Sequence, residues 1–171
     1  VLHPHAVAAA DRAVQRLAAY TAGKGIAVLI GAPVPYKNSL YNCALLLRDG
    51  QVQGMVPKVH LANYNEFYEK RWFSSGEDLH ENQALLQIPG MPAHTVPVLP
   101  KALFALADGT AFGVEICEDL WTPIPPSSIL ALSGAEVIVN LSASDEIIGK
   151  AGYRRDLVRQ QSGRLLCAYL Y

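Results

Sequence analysis

A chain of 171 residues can bury a substantial single core and falls short of two full domains. Hydrophobic residues make up 51% of it and charged residues only 17%, against roughly 25% in an ordinary soluble domain, so buried sheet or subunit contacts must cover much of the apolar surface. With 14 basic and 15 acidic residues the net charge is −1, which argues against a nucleic-acid or membrane surface that works by bulk charge. From Ala6 to Ala22, Val7, Ala10, Val14, Leu17 and Ala18 recur at helical spacing, with Arg12 and Arg16 opposite and Gly23 as the stop, which predicts an amphipathic helix. The aliphatic run Ile26 to Ile30, ended by Gly31, predicts a strand buried on both faces. Tyr41 to Leu47 and Val52 to Val56 flank Asp49-Gly50 and predict a tight hairpin, closed by Pro57 and Lys58.

The segment from Lys58 to about Gly76 is aromatic, charged and non-periodic. It is longer than a connection requires, as functional loops often are. The proline-rich stretch that follows, to Pro100, reads as a surface loop with one short strand near Leu85 to Ile88. Strands are then predicted at Leu103 to Leu106 and Ala111 to Ile116, joined by Asp108-Gly109. After Cys117 come a proline-rich turn, a helix from Ser127 to Ser133 stopped by Gly134, a strand Val137 to Leu141, a helix from Tyr153 to Leu166 and a strand Cys167 to Tyr171. Strand, helix, strand, helix, strand gives parallel crossovers and an α/β layered fold.

No stretch approaches the roughly 18 unbroken apolar residues of a membrane span. The first residue is Val1 and no leader precedes it, so the chain is expected to be an internal piece of a longer product. Cys43, Cys117 and Cys167 are odd in number and far apart, which fits reduced thiols of a cytoplasmic protein. The five histidines show no paired ligand spacing, and no metal is expected.

Cys117 stands where the strand Phe112-Gly113-Val114-Glu115-Ile116 meets a turn, the place where open α/β sheets carry reactive groups. A free cysteine there is ordinarily a small core hydrophobe. Glu115, Glu118 and Asp119, however, are expected to crowd three carboxylates round the thiol, which would raise its pKa and call for a nearby cation. Lys58, after the rigid Pro57, is the best source of that cation and could steady a thiolate and an oxyanion; the ordinary fate of such a lysine is a solvated hairpin end. Cys43 and Cys167 read as core.

Two long strings, Val56-Pro57-Lys58-Val59-His60-Leu61-Ala62-Asn63-Tyr64-Asn65-Glu66-Phe67-Tyr68-Glu69-Lys70-Arg71 and Val114-Glu115-Ile116-Cys117-Glu118-Asp119-Leu120-Trp121, resemble the nitrilase-superfamily (glutaminase/amidase) domain of the glutamine-dependent NAD synthetases. The resemblance continues through Pro123 to Ser127, Asn140 to Ser144 and Cys167 to Tyr171. It implies an α-β-β-α sandwich present as a partial domain, with residues 1–171 forming a carbon-nitrogen hydrolase domain truncated at both ends. It further implies a Glu-Lys-Cys set in which Cys117 attacks the side-chain amide of glutamine through a thioester, Lys58 stabilises the oxyanion and a glutamate serves as general base. No carboxylate before Lys58 matches that glutamate, so the base is expected to be missing from the chain, and the chain by itself to be inactive. Glu69 is the second glutamate, orienting Lys58.

By the same resemblance Glu118 and Ser144 would hold the polar end of glutamine, and Tyr64, Phe67 and Trp121 would line its pocket; core packing is the ordinary role of such aromatics. The partners implied are glutamine and a synthetase domain of the same polypeptide, in a homo-oligomer. ATP, Mg and deamido-NAD would act in that absent domain, because these 171 residues contain no glycine-rich phosphate loop. An amidase for another small amide, or a non-catalytic interaction module, are the alternatives.

Overall fold

Val14, Ala18 and Thr21, spaced four and three apart, form the buried stripe of the first helix, α1 (Pro4–Thr21), in a computed structural model that describes residues 4–98 and 103–171. The stripe is narrower than the spacing predicted: Leu17 is exposed, because a helix turning 100° per residue carries it off the 14–18–21 line. Asp11 falls on that line instead, and partial burial pushes its carboxyl above the usual range, with the Arg12 charge acting against the shift.

The chain divides into two compact units, Val1–Leu99 and Pro100–Tyr171. In the first, β1 (Ala27–Tyr36), β2 (Ser39–Arg48) and β3 (Gln51–Pro57) form an antiparallel sheet in the order β1-β2-β3. Val14 and Ala18 of α1 join Cys43, Leu45, Leu47, Val52 and Met55 in one core. The Asp49-Gly50 hairpin forms as predicted, both residues at positive φ (+50° and +83°), the pair of conformations a two-residue turn of this twist requires.

The strand predicted to end at Gly31 runs on through Pro33 and Pro35, and its first half is only partly buried. Both differences follow from β1 lying at the sheet edge. Prolines two residues apart turn their missing N–H groups to the same side, where an edge strand needs no partner. Its return turn, Lys37-Asn38, has Lys37 at φ +51° and carries no glycine to announce it.

The stretch read as a surface loop with one strand holds two, β4 (Gln83–Leu86) and β5 (His94–Pro97), paired antiparallel. Ala84, Leu86, Val96 and Val98 are buried, and Val98 bridges to Met55. His94 Nε2 donates to Val52 O at 2.8 Å. The prolines at 92 and 97 masked so short an apolar pattern. The end of that stretch, Leu99 and Pro100, lies outside the described residues.

In the second unit, β6 (Phe104–Ala105), β7 (Ala111–Ile116), β8 (Val137–Leu141) and β9 (Ala168–Leu170) form one sheet in that order, with β7, β8 and β9 parallel. The crossovers are α2 (Pro126–Leu132) and α3 (Lys150–Leu165), as the strand–helix alternation predicts. Along β7, Gly113 and Glu115 share the face under α2. A Cβ at Gly113 would lie 2.8 Å from Leu130 Cδ1 and 3.0 Å from its Cβ, so the glycine sets how closely α2 lies on the sheet. Gly113→Ala should therefore lower stability by about 1–3 kcal/mol through overpacking, read as a lower urea midpoint at unchanged m-value; an unchanged midpoint would refute the close approach.

Candidate active site

Lys58 follows β3 directly and is held by its own backbone. Its N–H donates to Asn42 O at 2.8 Å, and its carbonyl accepts from Gly76 N at 2.7 Å. Gly76 has no room for a side chain, since a Cβ would stand 2.7 Å from Pro57 O. The Lys58 side chain is 3% exposed and its ammonium pairs with Glu69, which opens a short 3-10 turn, Glu69–Arg71. The Glu69 carboxylate also accepts from Ala62 N at 2.7 Å and Asn42 Nδ2 at 2.9 Å. Three donors from three segments leave neither partner a free rotamer. Lys58 is thus no solvated hairpin end, but a buried cation in a fixed place. Within the same loop Tyr64 and Phe67 meet edge to face, centroids 6.0 Å apart; Tyr64 is exposed and Phe67 half-buried.

Cys117 is half-buried, whereas Cys43 and Cys167 are buried. It ends β7 and opens a 3-10 turn, Cys117–Trp121, at φ +48°, a region that non-glycine residues rarely enter and that clusters at functional sites. Its N–H donates to Asn140 Oδ1 at 2.9 Å, so an oxyanion at this thiol must find its donors elsewhere.

The expected crowd of three carboxylates dissolves here. Glu115, 1% exposed, takes Ser127 N at 2.7 Å, Asn140 Nδ2 at 3.4 Å and the Tyr169 hydroxyl. Asp119, also 1% exposed, accepts from Ile116 N at 2.9 Å and closes the turn. Both carboxylates are bound to groups of the second unit's interior, because a buried charge must find donors. Burial, with the Glu115 charge acting the same way, pushes the Tyr169 phenol well above its usual range.

Glu118 and Ser144 are half-buried. The loop carrying Ser144 is tied to the start of α3 by an Asp145–Lys150 ion pair and by Arg154, whose NH2 donates to Glu146 Oε2 at 2.6 Å. Trp121 stacks on Tyr153 with centroids 5.7 Å apart, and the Lys150 ammonium stands 5.3 Å over its ring. A cleft of about 430 Å³ borders Trp121 beside Leu157, Gln161 and Arg164; none of Cys117, Glu118 or Ser144 lines it.

The structure therefore joins Lys58 to Glu69 in the first unit, and gathers Cys117, Glu118 and Trp121 on one turn of the second. Sequence reasoning missed Asn42 and Asn140, and misread Glu115. One signal was available: Asn140 interrupts the apolar run Val137-Ile138-Val139, and in the parallel register it stands opposite Glu115. Among the described residues no group of three or more His, Cys, Asp or Glu side chains could hold a metal ion, and no helix is long and apolar enough to cross a membrane.

The glutamine-dependent NAD(+) synthetase of Mycobacterium leprae (strain TN) is 43% identical over 146 residues, which cover 84% of this chain and 21% of that protein. Its counterpart in Thermotoga maritima is 32% identical over 149 residues, 86% of this chain and 22% of that one. The chain spans about a fifth of the length of these curated relatives. Of solved structures, the glutamine-dependent NAD(+) synthetase from Cytophaga hutchinsonii superposes with a TM-score of 0.77 at 28% identity, over 98% of this chain and 26% of that one. An amidase from Nesterenkonia of the nitrilase superfamily superposes with a TM-score of 0.68 at 17% identity, over 99% of this chain and 58% of that one. The fold is that of the nitrilase superfamily, and with residues 2–163 matching the carbon-nitrogen hydrolase family the chain belongs to that family.

Proposed function

We propose that this chain is the glutaminase part of a glutamine-dependent NAD synthetase. One observation carries the reading: the half-buried thiol, Cys117, is held at φ +48° at the end of β7, where an unreactive core cysteine would need no such conformation. The relatives named above support the choice of glutamine. In this reading Cys117 gives its thiol proton to the general base, Sγ attacks the side-chain amide carbon and a C–S bond forms, while the carbonyl π-electrons move to oxygen as an oxyanion. The Lys58 ammonium, fixed by Glu69, stabilises that oxyanion. Collapse breaks the C–N bond; the nitrogen takes a proton from a general acid and leaves as ammonia, and water then hydrolyses the thioester to glutamate.

The general base and acid is a glutamate outside these 171 residues. Before Lys58 the chain carries only Asp11, on α1, and Asp49, in a hairpin turn. Glu118 and Ser144 hold the polar end of glutamine, with Tyr64, Phe67 and Trp121 around it. ATP, Mg and deamido-NAD act in a synthetase domain of the same polypeptide, in a cytoplasmic homo-oligomer; among the described residues no cluster of three or more His, Cys, Asp or Glu side chains could hold the metal.

Ammonia release by the full-length polypeptide is the test. Glutamine should be hydrolysed at least tenfold faster than aliphatic amides; a preference for the latter would sink the glutaminase reading in favour of a general amidase. The 171-residue chain alone should show no measurable turnover, since loss of the general base by itself costs about 10²–10⁴-fold. Glu118→Gln should raise the KM for glutamine about tenfold or more, since a carboxylate facing an ammonium is a charge-assisted contact, and leave the rate of thiol alkylation by iodoacetamide nearly unchanged. An unaltered KM would remove Glu118 from the substrate.

A further inference from the structure

Cys117 stays at φ +48° only because surrounding bonds hold it there, and the bond to its N–H comes from a side chain. Asn140 Oδ1 accepts that N–H at 2.9 Å. Asn140 is 4% exposed, so protein groups alone decide which end of its amide faces Cys117. Its Nδ2 donates to Glu115 Oε1 at 3.4 Å and to the Tyr169 oxygen at 3.2 Å. Two acceptors on one side leave the amide oxygen pointing the other way.

Those acceptors are themselves fixed. Glu115 is pinned by Ser127 N at 2.7 Å on the first turn of α2 and by the Tyr169 hydroxyl. Gln161 Nε2 on α3 donates to Ser127 Oγ at 2.9 Å. The Tyr169 hydroxyl can donate its one proton to Glu115 while accepting from Asn140, and burial keeps that proton in place. Side chains from β7 and β9 thus meet the one amide on β8, backed in turn by Ser127 of α2 and Gln161 of α3, and that amide accepts the N–H of Cys117.

We propose that Asn140 is a positioning residue for Cys117, with Glu115 and Tyr169 holding its amide in the orientation that accepts the Cys117 N–H. The inference rests on the reading of Cys117 as a glutaminase nucleophile and extends it: the thiol is aimed from behind by a buried polar network that touches no substrate. Loss of the amide should leave the sulfur present and reachable but misaimed. Reaction with a bound, oriented substrate then suffers, while reaction with a small reagent that approaches from any direction does not.

The experiment compares Asn140→Ala and Tyr169→Phe with the wild-type full-length polypeptide. Labelling of Cys117 by a glutamine-shaped diazo-ketone and by iodoacetamide is followed by peptide mapping. The buried Cys43 and Cys167 report whether the fold has opened. Asn140→Ala should slow diazo-ketone labelling at least tenfold and change iodoacetamide labelling less than threefold, with both other thiols silent; Tyr169→Phe should act in the same direction by about threefold. Unchanged diazo-ketone labelling overturns the proposal. So does an equal loss with both reagents, or exposure of Cys43 and Cys167, because Asn140 would then be holding the fold and not the thiol. If wild-type Cys117 accepts iodoacetamide and refuses the diazo-ketone, the glutaminase reading fails by itself. Hydrogen exchange at the Cys117 amide then decides the positioning: protection lost in Asn140→Ala, but kept at Ile116, whose N–H is held by Asp119, upholds it, and unchanged protection at Cys117 overturns it.

Discussion

Cys117→Ala should lower glutamine-dependent NAD synthesis by about 10⁴-fold or more, the scale on which enzymes lose turnover when their nucleophile is removed, while synthesis from free ammonia continues. The thiol is needed only to open the amide. Once ammonia is supplied, nothing that Cys117 does remains on the path. The substitution is also mild structurally: the half-buried side chain is shortened by one atom, and the backbone N–H keeps its bond to Asn140. Alanine is no easier than cysteine at φ +48°, so Cys117→Gly is the useful companion, expected to be equally inactive and no less stable. Both activities measured side by side in the full-length polypeptide check the prediction. A folded Cys117→Ala protein that lost both, or kept glutamine-dependent synthesis within tenfold, would contradict a separate glutaminase centred on this thiol.

The second large effect belongs to the Lys58–Glu69 pair, and the two halves should fail differently. Lys58→Ala removes the cation but leaves the Glu69 carboxylate its bonds from Ala62 N and Asn42 Nδ2. The expected loss is mainly catalytic, about 10²–10³-fold in kcat for one oxyanion donor. Glu69→Ala instead strands an ammonium that is 3% exposed and unties Ala62 and Asn42 together. Breaking a buried pair from that side costs about 3–5 kcal/mol. Glu69→Ala should therefore show the larger drop in urea midpoint, and Lys58→Ala the cleaner loss of turnover at near-normal KM. Equal stability losses, or a Lys58→Ala enzyme within tenfold of wild type, would contradict the roles assigned to the pair.

Local chemistry wrote the second unit openly into the sequence. Asp108-Gly109, Gly134 and the run Val137 to Leu141 are signals that act within a few residues, and β6, β7, α2, β8 and α3 stand within three residues of where those signals put them. The same holds for the Asp49-Gly50 hairpin, where the turn chemistry fixes the register of both strands. The resemblance carried by the strings around Lys58 and Cys117 likewise marked out the family.

Other features depended on what lies beside a residue in space. Pro33 and Pro35 would end a central strand, and only the position of β1 at the sheet edge lets the strand run through them. In the ribbon of β4 and β5, β5 has no apolar run long enough to show; Val96 is a strand residue because it is buried beside Ala84, and Val98, just past the strand, is buried where it bridges to Met55. Charge was the hardest property to read in one dimension. Glu115, Glu118 and Asp119 lie within five residues and look like one acidic cluster, yet alternation along β7 and the turn after it send Glu115 to Ser127, Asn140 and Tyr169 and Asp119 back to Ile116. A buried carboxylate goes where its donors are, and those donors lie 12, 25 and 54 residues away along the chain. Sequence alone determined the turns, the longer strand and helix runs and the family; the tertiary structure decided that β1 runs on, that β5 forms and where each buried carboxylate finds its partners, because hydrogen-bond donors for such a group come from whichever strands and helices pack against it.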